Sequence, residues 1–171
     1  MSSQPGEVVL SPAPLNEMAP TRRRDLSRMP IRALVVDDHV DVASTTCELL
    51  QMLGCKTAAA FGGITGARLA ELFRPDIVFL DLGMPDLDGE AALTRIREAG
   101  RVDALFVCMT GRDDPALRER SIQAGFDHFL TKPVEPEVFE RLVNQVRDSR
   151  RATHAPAHFI NNSRPARQES R

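Results

Sequence analysis

The sequence predicts an α/β fold, a doubly wound (βα)5 sandwich of three layers around a parallel sheet. Between residues 31 and 150, five short runs rich in β-branched and other apolar residues alternate with segments of helical period. This alternation is the pattern of βαβ units. Residues 34–36 and 77–80 are apolar without alternation, as expected for parallel strands that helices cover on both faces. The length of 171 residues suits about one such domain.

The five apolar runs are the predicted strands. The first run, RALVVDD, and the third, IVFLDL, carry acidic residues near their carboxyl ends. Right-handed crossovers between parallel strands restrict the topology, and we expect the flavodoxin-like order 2-1-3-4-5. The predicted strands cover residues 32–38, 56–61, 77–82, 104–110 and 127–131.

The segments that follow the strands have the period of amphipathic helices. Three of them run into a glycine, at Gly54, Gly100 or Gly125, and glycine permits the left-handed backbone that closes a helix. The last helix carries an apolar stripe that should pack against the sheet. The stripe consists of Val138, Phe139, Leu142, Val143 and Val146. The predicted helices lie near residues 40–53, 64–73, 88–98, 115–124 and 135–148.

The two ends of the chain differ from the middle in composition. Residues 1–30 and 151–171 hold seven of the twelve prolines and lack a sustained apolar period. We therefore expect a disordered N-terminal extension and a disordered, Arg-containing C-terminal tail around a domain at residues 31–150. Because 21 residues after that domain are too few for a DNA-binding or enzymatic output module, we expect a stand-alone domain.

Charge and composition argue against several classes of function. The formal net charge is -2 and the pI is near 6.1, which disfavours direct nucleic-acid binding despite the arginines in the tails. No apolar stretch reaches the roughly 20 residues that span a bilayer, so we expect a cytoplasmic protein without a membrane partner. Cys47, Cys55 and Cys108 lack metal-ligand spacing and fall in or near apolar segments, which predicts reduced core residues.

Three carboxylates are predicted to meet at one edge of the sheet. The first strand ends in Asp37 and Asp38, and the third ends in Asp81 and Leu82. In the order 2-1-3-4-5 these strands flank the point where the winding direction reverses, which is where open parallel sheets bind ligands. Crowded carboxylates repel each other unless a cation neutralises them. Oxygen ligands without cysteine indicate a hard ion, so the sequence predicts a Mg²⁺ site.

Two further side chains lie at the ends of neighbouring strands. Lys132 follows the fifth strand in a chain whose 22 basic residues include two lysines. An ammonium can reach one oxygen in a small pocket, whereas a guanidinium is a broad planar fork. Thr110 ends the fourth strand and offers a hydroxyl donor. Together with the carboxylates they predict a site for an anion bridged to Mg²⁺, and a phosphoryl group fits it.

These residues resemble the receiver domain of bacterial two-component response regulators. The resemblance covers about residues 31–150 and rests on four motifs in order: VVDDHVD at 35–41, PDIVFLDLGMPDLDG at 75–89, MTG at 109–111 and LTKP at 130–133. The GMPDLDG form is similar to receivers attached to, or working beside, hybrid histidine kinases. His39 departs from the pattern, because Asn or another small polar residue is more frequent there. It is either a polar rim residue or one that tunes water access or binds metal.

The resemblance implies a phosphoacceptor and its metal ligands. Asp81 is expected to attack a phosphohistidine or a small phosphodonor and form an acyl phosphate. Asp37, Asp38, Asp81 and the backbone carbonyl of Gly83 are expected to hold Mg²⁺. Such a receiver catalyses its own phosphorylation and slow dephosphorylation and is otherwise a signalling protein rather than an enzyme.

The resemblance also implies a switch and partners. Thr110 and Lys132 are expected to meet the phosphoryl oxygens, and Phe129 matches an aromatic switch position that turns inward as Thr110 moves. The Lys132-Pro133 bond is expected to be cis. The expected partners are a histidine kinase or histidine phosphotransfer protein and a downstream protein that binds helix 4, strand 5 and helix 5. The protein is expected to be a monomer or a phosphorylation-dependent dimer.

Two other functions remain open at this point. A phosphorylation-independent, receiver-like binding module would bind its partner equally well with Asp81→Asn. A Mg-dependent phosphatase with an aspartate nucleophile, as in haloacid-dehalogenase-like enzymes, would need a second aspartate two residues after Asp81, where this sequence has Gly83. Turnover of unrelated phosphoesters would identify such a phosphatase.

Overall fold

The computed structural model describes residues 29–85, 89–100 and 103–154, and within them five strands alternate with five helices. The disorder expected at residues 1–28 and 155–171 concerns segments outside these ranges. The strands are β1 (Arg32–Val36), β2 (Lys56–Ala60), β3 (Ile77–Asp81), β4 (Leu105–Thr110) and β5 (His128–Thr131). The helices are α1 (Val40–Met52), α2 (Gly63–Phe73), α3 (Gly89–Gly100), α4 (Pro115–Ala124) and α5 (Pro136–His154).

The sheet is parallel and has the order β2-β1-β3-β4-β5, which confirms the predicted topology. Its register aligns the ends of the strands, since Asp81 lies beside Met109 and Thr110 lies beside Thr131. The carboxyl ends of β1, β3, β4 and β5 therefore share one edge of the sheet. This is the edge at which the sequence places its polar site residues.

Helices cover both faces of the sheet, as predicted. One face packs against α1 and α5, and the other packs against α2, α3 and α4. All five residues of β3 are buried, which accounts for a strand sequence without alternation. On the α5 side, the rings of Phe79 and Phe139 lie with centroids 5.1 Å apart in a tilted arrangement. Each large side chain buried in this way contributes about 1.5–3 kcal/mol to stability.

Each strand is one or two residues shorter than predicted: β1, β2 and β3 end earlier, and β4 and β5 begin one residue later. Acidic side chains accept backbone N–H groups near two strand starts. The backbone N–H of Arg32 donates to Asp76 Oδ2 at 2.7 Å, just before β3. The N–H of Phe106 donates to Asp127 Oδ2, also at 2.7 Å, just before β5. These carboxylates satisfy buried backbone donors where the regular ladder stops.

The apolar stripe predicted for the last helix forms, but α5 is longer than predicted. It continues to His154 rather than ending near residue 148, so residues 151–154 of the predicted tail are helical. Polar contacts hold this end: Arg147 Nη2 donates to the Leu53 carbonyl at 2.5 Å, and Arg150 forms an ion pair with Asp76. In the described part of the chain, no helix combines the length and apolar character needed to cross a membrane.

Among the described residues, three have a left-handed backbone conformation, and each lies at or just after the end of a helix. Gly54 has φ 79° after α1 and Gly125 has φ 104° after α4, which confirms two of the predicted glycine caps. Gly100 is the last residue of α3. The third left-handed residue is Arg74, with φ 48° at the end of α2. The sequence did not predict it, because side chains other than Asn and Asp seldom adopt this conformation.

The cysteines are core residues, as predicted. Cys47, Cys55 and Cys108 are buried and free. Burial raises the pKa of the Cys108 thiol to about 12, although the hydrogen bond with Ser121 lowers it and the negative charge of Asp81 raises it further. A thiol with such a pKa is protonated at neutral pH and is a poor nucleophile.

Gly66 provides a test of packing between α2 and β1. A Cβ at Gly66 would lie 2.8 and 2.9 Å from the two methyl carbons of buried Val36. We expect Gly66→Ala to lower the free energy of unfolding by about 1–2 kcal/mol, because overpacking costs about 1–3 kcal/mol and the gain in helix propensity is at most about 1 kcal/mol. Urea denaturation would measure the change.

Gly111→Ala is the matched control, because no heavy atom lies within 4 Å of a Cβ built at Gly111. Its unfolding free energy should stay within about 0.5 kcal/mol of wild type. Combining Gly66→Ala with Val36→Ala should cost less than the sum of the two single changes. Equal or greater stability of Gly66→Ala alone would contradict the close contact.

Candidate functional site

Asp37 is the most buried polar residue of the site. It follows β1, where its N–H still donates to the Ala60 carbonyl at 3.1 Å, and it is 0% exposed. Its Oδ1 accepts the backbone N–H of His39 at 2.9 Å. Its Oδ2 accepts a hydrogen bond from Lys132 Nζ at 2.5 Å. Both oxygens of a buried carboxylate are therefore paired, as burial of a charge requires.

Asp81 is the last residue of β3 and is 5% exposed. Its Oδ1 lies 3.4 Å from Lys132 Nζ, so one ammonium faces both Asp37 and Asp81. The first residue of α3 lies close to Asp81. A Cβ at Gly89 would lie 2.6 Å from the Asp81 carbonyl oxygen, so the start of α3 packs directly on the end of β3.

Asp38 and His39 lie at the open side of the same cluster. Asp38 Oδ1 is buried and has no hydrogen-bond partner among the described residues. His39 Nδ1 lies 3.1 Å from Asp38 Oδ1 and 3.4 Å from Asp37 Oδ1, and the His39 side chain is 69% exposed. Asp37, Asp38, His39 and Asp81 each offer a ligand atom within 4.8 Å of the others. The predicted convergence of the three carboxylates is present.

Gly83 lies beside the Asp81 carboxylate, and Thr110 ends β4, the strand next to β3. A Cβ at Gly83 would lie 3.6 Å from Asp81 Oδ2, so the Gly83 backbone passes close to that carboxylate. Thr110 is 4% exposed at the end of β4, and its hydroxyl oxygen accepts the N–H of Arg112 at 3.2 Å. The Thr110 carbonyl accepts the N–H of Lys132 at 2.7 Å, which fixes the backbone of the lysine beside β4.

Lys132, which follows β5, therefore lies beside two of the carboxylates. Its peptide bond to Pro133 is cis, which agrees with the expectation from the resemblance. The cluster carries three carboxylates and one ammonium at close range. Such an excess of negative charge on oxygen ligands suits a hard divalent cation.

Phe129 lies inward on β5, where it is 9% exposed and pairs in register with Cys108. The guanidinium of Arg118 on α4 covers the ring, with its carbon 4.7 Å from the ring centroid. This contact was not predicted from the sequence. Arg118 and Phe129 are on different elements, and no spacing rule relates them, so no sequence signal pointed to it.

Comparisons with known proteins agree with this geometry. Residues 33–144 match the response regulator receiver domain family. Response regulator MprA of Mycobacterium sp. (strain KMS) is 36% identical over 105 residues, or 61% of this chain and 45% of that protein. Transcriptional regulatory protein AfsQ1 of Streptomyces coelicolor is 33% identical over 120 residues, or 69% of this chain and 51% of that protein.

A solved structure has the same fold. The response regulator receiver domain protein (CheY-like) from Methanospirillum hungatei JF-1 matches with a TM-score of 0.67 at 22% identity, covering 73% of this chain and 99% of that chain. The chain spans about half the length of the curated relatives named above. The expectation of a stand-alone domain therefore stays a prediction.

The family match begins in β1, ends within α5 and includes every element that contributes a residue to the acidic cluster. The chain belongs to the response regulator receiver domain family.

Proposed function

We propose that this chain accepts a phosphoryl group on Asp81 in a Mg²⁺-dependent reaction. The donor is a histidine kinase or a histidine phosphotransfer protein, and the phosphorylated domain signals through contacts with another protein. One observation carries the proposal: the Asp81 carboxylate ends β3 beside both the Lys132 ammonium and the carboxylates of the acidic cluster. A nucleophile, a cation and a set of metal ligands thus face the same small volume.

Asp81 acts as an ionised carboxylate. One of its oxygens forms a bond to phosphorus while the bond between phosphorus and the ring nitrogen of the donor phosphohistidine breaks. The bonding electrons return to that nitrogen, and the product on Asp81 is an acyl phosphate. No proton has to leave Asp81, so the site needs no general base for this transfer.

The donor set fits Mg²⁺. Asp37, Asp38 and Asp81 offer oxygen atoms within 4.8 Å of one another, and the buried Asp38 Oδ1 lacks a hydrogen-bond partner in the described ranges. The Gly83 carbonyl would complete the protein ligands. When bound, the ion would supply charge neutralisation for the phosphoryl oxygens in the transition state.

Lys132 holds the cluster together and faces the nucleophile. Its Nζ is hydrogen-bonded to Asp37 and lies 3.4 Å from Asp81 Oδ1. From this position the ammonium can donate to an oxygen of a phosphoryl group on Asp81. Its charge then serves two purposes, because it compensates the buried carboxylates before transfer and the added phosphate afterwards.

Thr110 and Phe129 form the proposed switch. The Thr110 hydroxyl retains its own proton to donate, since it acts as an acceptor towards the Arg112 N–H. Movement of Thr110 towards the phosphoryl group would leave room for the Phe129 ring to stay inward. The stacking of Arg118 on that ring supports the inward position, because a cation over an aromatic face is attracted by about 0.5–2 kcal/mol.

The proposed readout surface consists of α4, β5 and α5. Arg118 and Phe129 connect α4 to β5, and Lys132 follows β5 directly. A change at the carboxylates therefore reaches this surface through neighbouring contacts. The proposed partner is a protein that distinguishes two positions of α4 relative to β5.

The first prediction from this proposal concerns the phosphoacceptor. Incubation of the chain with acetyl phosphate and Mg²⁺ should add the mass of one phosphate, and Asp81→Asn should abolish this shift, because an amide cannot form the acyl phosphate. Intact-protein mass spectrometry is the measurement. Asp148→Asn, a change at an exposed carboxylate on α5, is the control and should be phosphorylated like wild type.

A persistent single-phosphate shift in Asp81→Asn would overturn the assignment of the nucleophile. Omission of Mg²⁺ or addition of a chelator should also remove the shift. Hydrolysis of unrelated phosphoesters in repeated turnovers would instead favour the phosphatase. A partner that binds wild type and Asp81→Asn equally, with or without acetyl phosphate, would favour the phosphorylation-independent binding module.

The second prediction concerns competition between Lys132 and the metal. Lys132→Met should lower stability without metal, because it leaves buried Asp37 without its countercharge. The variant should bind Mg²⁺ roughly tenfold or more tightly than wild type, because the ammonium that pairs with Asp37 and faces Asp81 no longer competes with the ion for these carboxylates. Thermal unfolding at increasing Mg²⁺ would show a larger stabilisation in the variant.

Lys56→Met is the matched control for this experiment. Lys56 is the other lysine of the chain and is exposed at the start of β2. Its removal should leave the response to Mg²⁺ unchanged. If Mg²⁺ stabilises Lys132→Met no more than wild type, the ammonium and the metal do not share Asp37.

The third prediction concerns the cover of the switch residue. Arg118→Ala should increase the solvent exposure of Phe129, because the ring loses the guanidinium above it. ¹⁹F NMR of protein labelled with fluorophenylalanine, with the Phe129 signal assigned from Phe129→Leu, would report the change as a solvent-isotope shift. Arg141→Ala, at an exposed arginine of α5, should leave the signal unchanged. An identical signal in Arg118→Ala would show that Arg118 does not hold the ring.

A further inference from the structure

We infer that His39 is a nitrogen ligand of the metal site and makes the site selective for borderline divalent ions such as Co²⁺ and Ni²⁺ over Mg²⁺. The inference rests on the proposed metal site and adds a ligand that the proposed function does not require. It concerns the residue at which the sequence departs from the pattern that its motifs otherwise follow.

The first support is distance. Ligands of about 2.1 Å bond length at adjacent corners of an octahedron lie roughly 3 Å apart. His39 Nδ1 lies 3.1 Å from Asp38 Oδ1 and 3.4 Å from Asp37 Oδ1. The imidazole nitrogen therefore already lies at the spacing of a neighbouring ligand from each of two carboxylate oxygens.

The second support is the lack of a hydrogen bond to explain the short contact. Although His39 Nδ1 lies 3.1 Å from Asp38 Oδ1, that buried oxygen has no hydrogen-bond partner within the described segments. The contact is an ion pair only when the imidazole is protonated, and a neutral imidazole leaves the oxygen unpaired. A nitrogen and an oxygen that lie side by side in this way can direct their lone pairs to a common point.

The third support is the rigidity of the His39 backbone. Its N–H donates to Asp37 Oδ1 at 2.9 Å, and its carbonyl accepts the N–H of Ala43 at 3.0 Å. His39 is also the N-cap residue of α1. Because the backbone is held from both sides, small rotations of the side chain are enough to orient the ring, and the exposed ring leaves a path for an ion.

The chemistry of the donors decides which ions benefit. Mg²⁺ prefers oxygen ligands and keeps several waters. Imidazole nitrogen suits the later first-row ions, whose affinity for such sites rises from Mn²⁺ through Co²⁺ to Ni²⁺. Adding one imidazole to a carboxylate cluster therefore raises the affinity for Co²⁺ more than that for Mg²⁺.

The test compares metal binding by wild type and His39→Asn, using isothermal titration with Co²⁺ and with Mg²⁺. We expect His39→Asn to weaken Co²⁺ binding roughly tenfold or more, since changes around metal ligands cost about 10–100-fold in affinity. Mg²⁺ binding should change less than about threefold. Asparagine is a favourable N-cap residue, so the variant should fold, and a thermal melt would verify this.

A spectroscopic measurement identifies the ligand directly. The ¹H NMR spectrum of the Co²⁺-loaded protein should contain a strongly shifted, exchangeable imidazole N–H signal that is absent in His39→Asn. His128→Asn is the matched control, because His128 lies at the start of β5 with its ring within 3.2 Å of Gln145. It should retain both the affinity for Co²⁺ and the shifted signal.

Each outcome supports or overturns the inference. Weaker Co²⁺ binding and loss of the signal in His39→Asn alone support it. Equal Co²⁺ affinity in wild type and His39→Asn, or an equal loss of Co²⁺ and Mg²⁺ affinity, overturns it while Mg²⁺ binding by wild type keeps the proposed function intact. If wild type bound neither Co²⁺ nor Mg²⁺, both the inference and the proposed function would be overturned. Loss of binding to both ions is the result expected for Asp38→Asn, which lacks one of the proposed ligands.

Discussion

The ion pair between Lys132 and Asp37 is the contact on which both the sheet and the site depend. It joins residues 95 positions apart in the sequence, from the end of β5 to the end of β1. Asp37 is fully buried, and a buried carboxylate without a partner is strongly destabilising. In this sheet β3 and β4 lie between β1 and β5, and the lysine side chain reaches Asp37 across the carboxyl ends of these strands. The strand order that completes the fold therefore also assembles the cluster.

This pairing leaves the cluster with more negative than positive charge. The Lys132 ammonium faces both Asp37 and Asp81, and the buried Asp38 Oδ1 has no hydrogen bond in the described part of the chain. A protein selected for stability alone would gain from replacing such a group. Retaining three carboxylates in one small volume is understandable where a divalent cation and a transferred anion are bound in turn. The crowded carboxylates thus lower the stability of the fold and also enable the site to bind a cation and a phosphoryl group.

Much of this arrangement could be predicted from the sequence because it depends on strand order and strand ends. Runs such as residues 77–80 identified buried parallel strands, and the acids and the lysine that follow the strands then had to meet at one edge. What could not be predicted depends on contacts between side chains on separate elements. The hydropathy pattern of α5 stops before the polar contacts of Arg150 extend the helix, and no sequence period relates Arg118 to Phe129. The close approach of His39 Nδ1 to Asp38 likewise depends on a side-chain rotamer, which the sequence pattern does not specify.

The weakest attachment to the core belongs to α4, the helix that the proposed readout surface depends on. Within the described residues its one buried side chain is Ser121, whose hydroxyl donates to its own helix at the Leu117 carbonyl. Beside the half-buried Leu117 and Ala124, polar and cation–π contacts hold it: Arg118 lies over Phe129, and Arg120 forms a 2.9 Å ion pair with Glu90 on α3. Such contacts are individually small and exposed to solvent, so they can be exchanged at little cost, whereas buried apolar contacts cannot. Glu90 follows the glycine that packs on the Asp81 carbonyl, which places one attachment of α4 next to the end of β3 and the other on the switch residue.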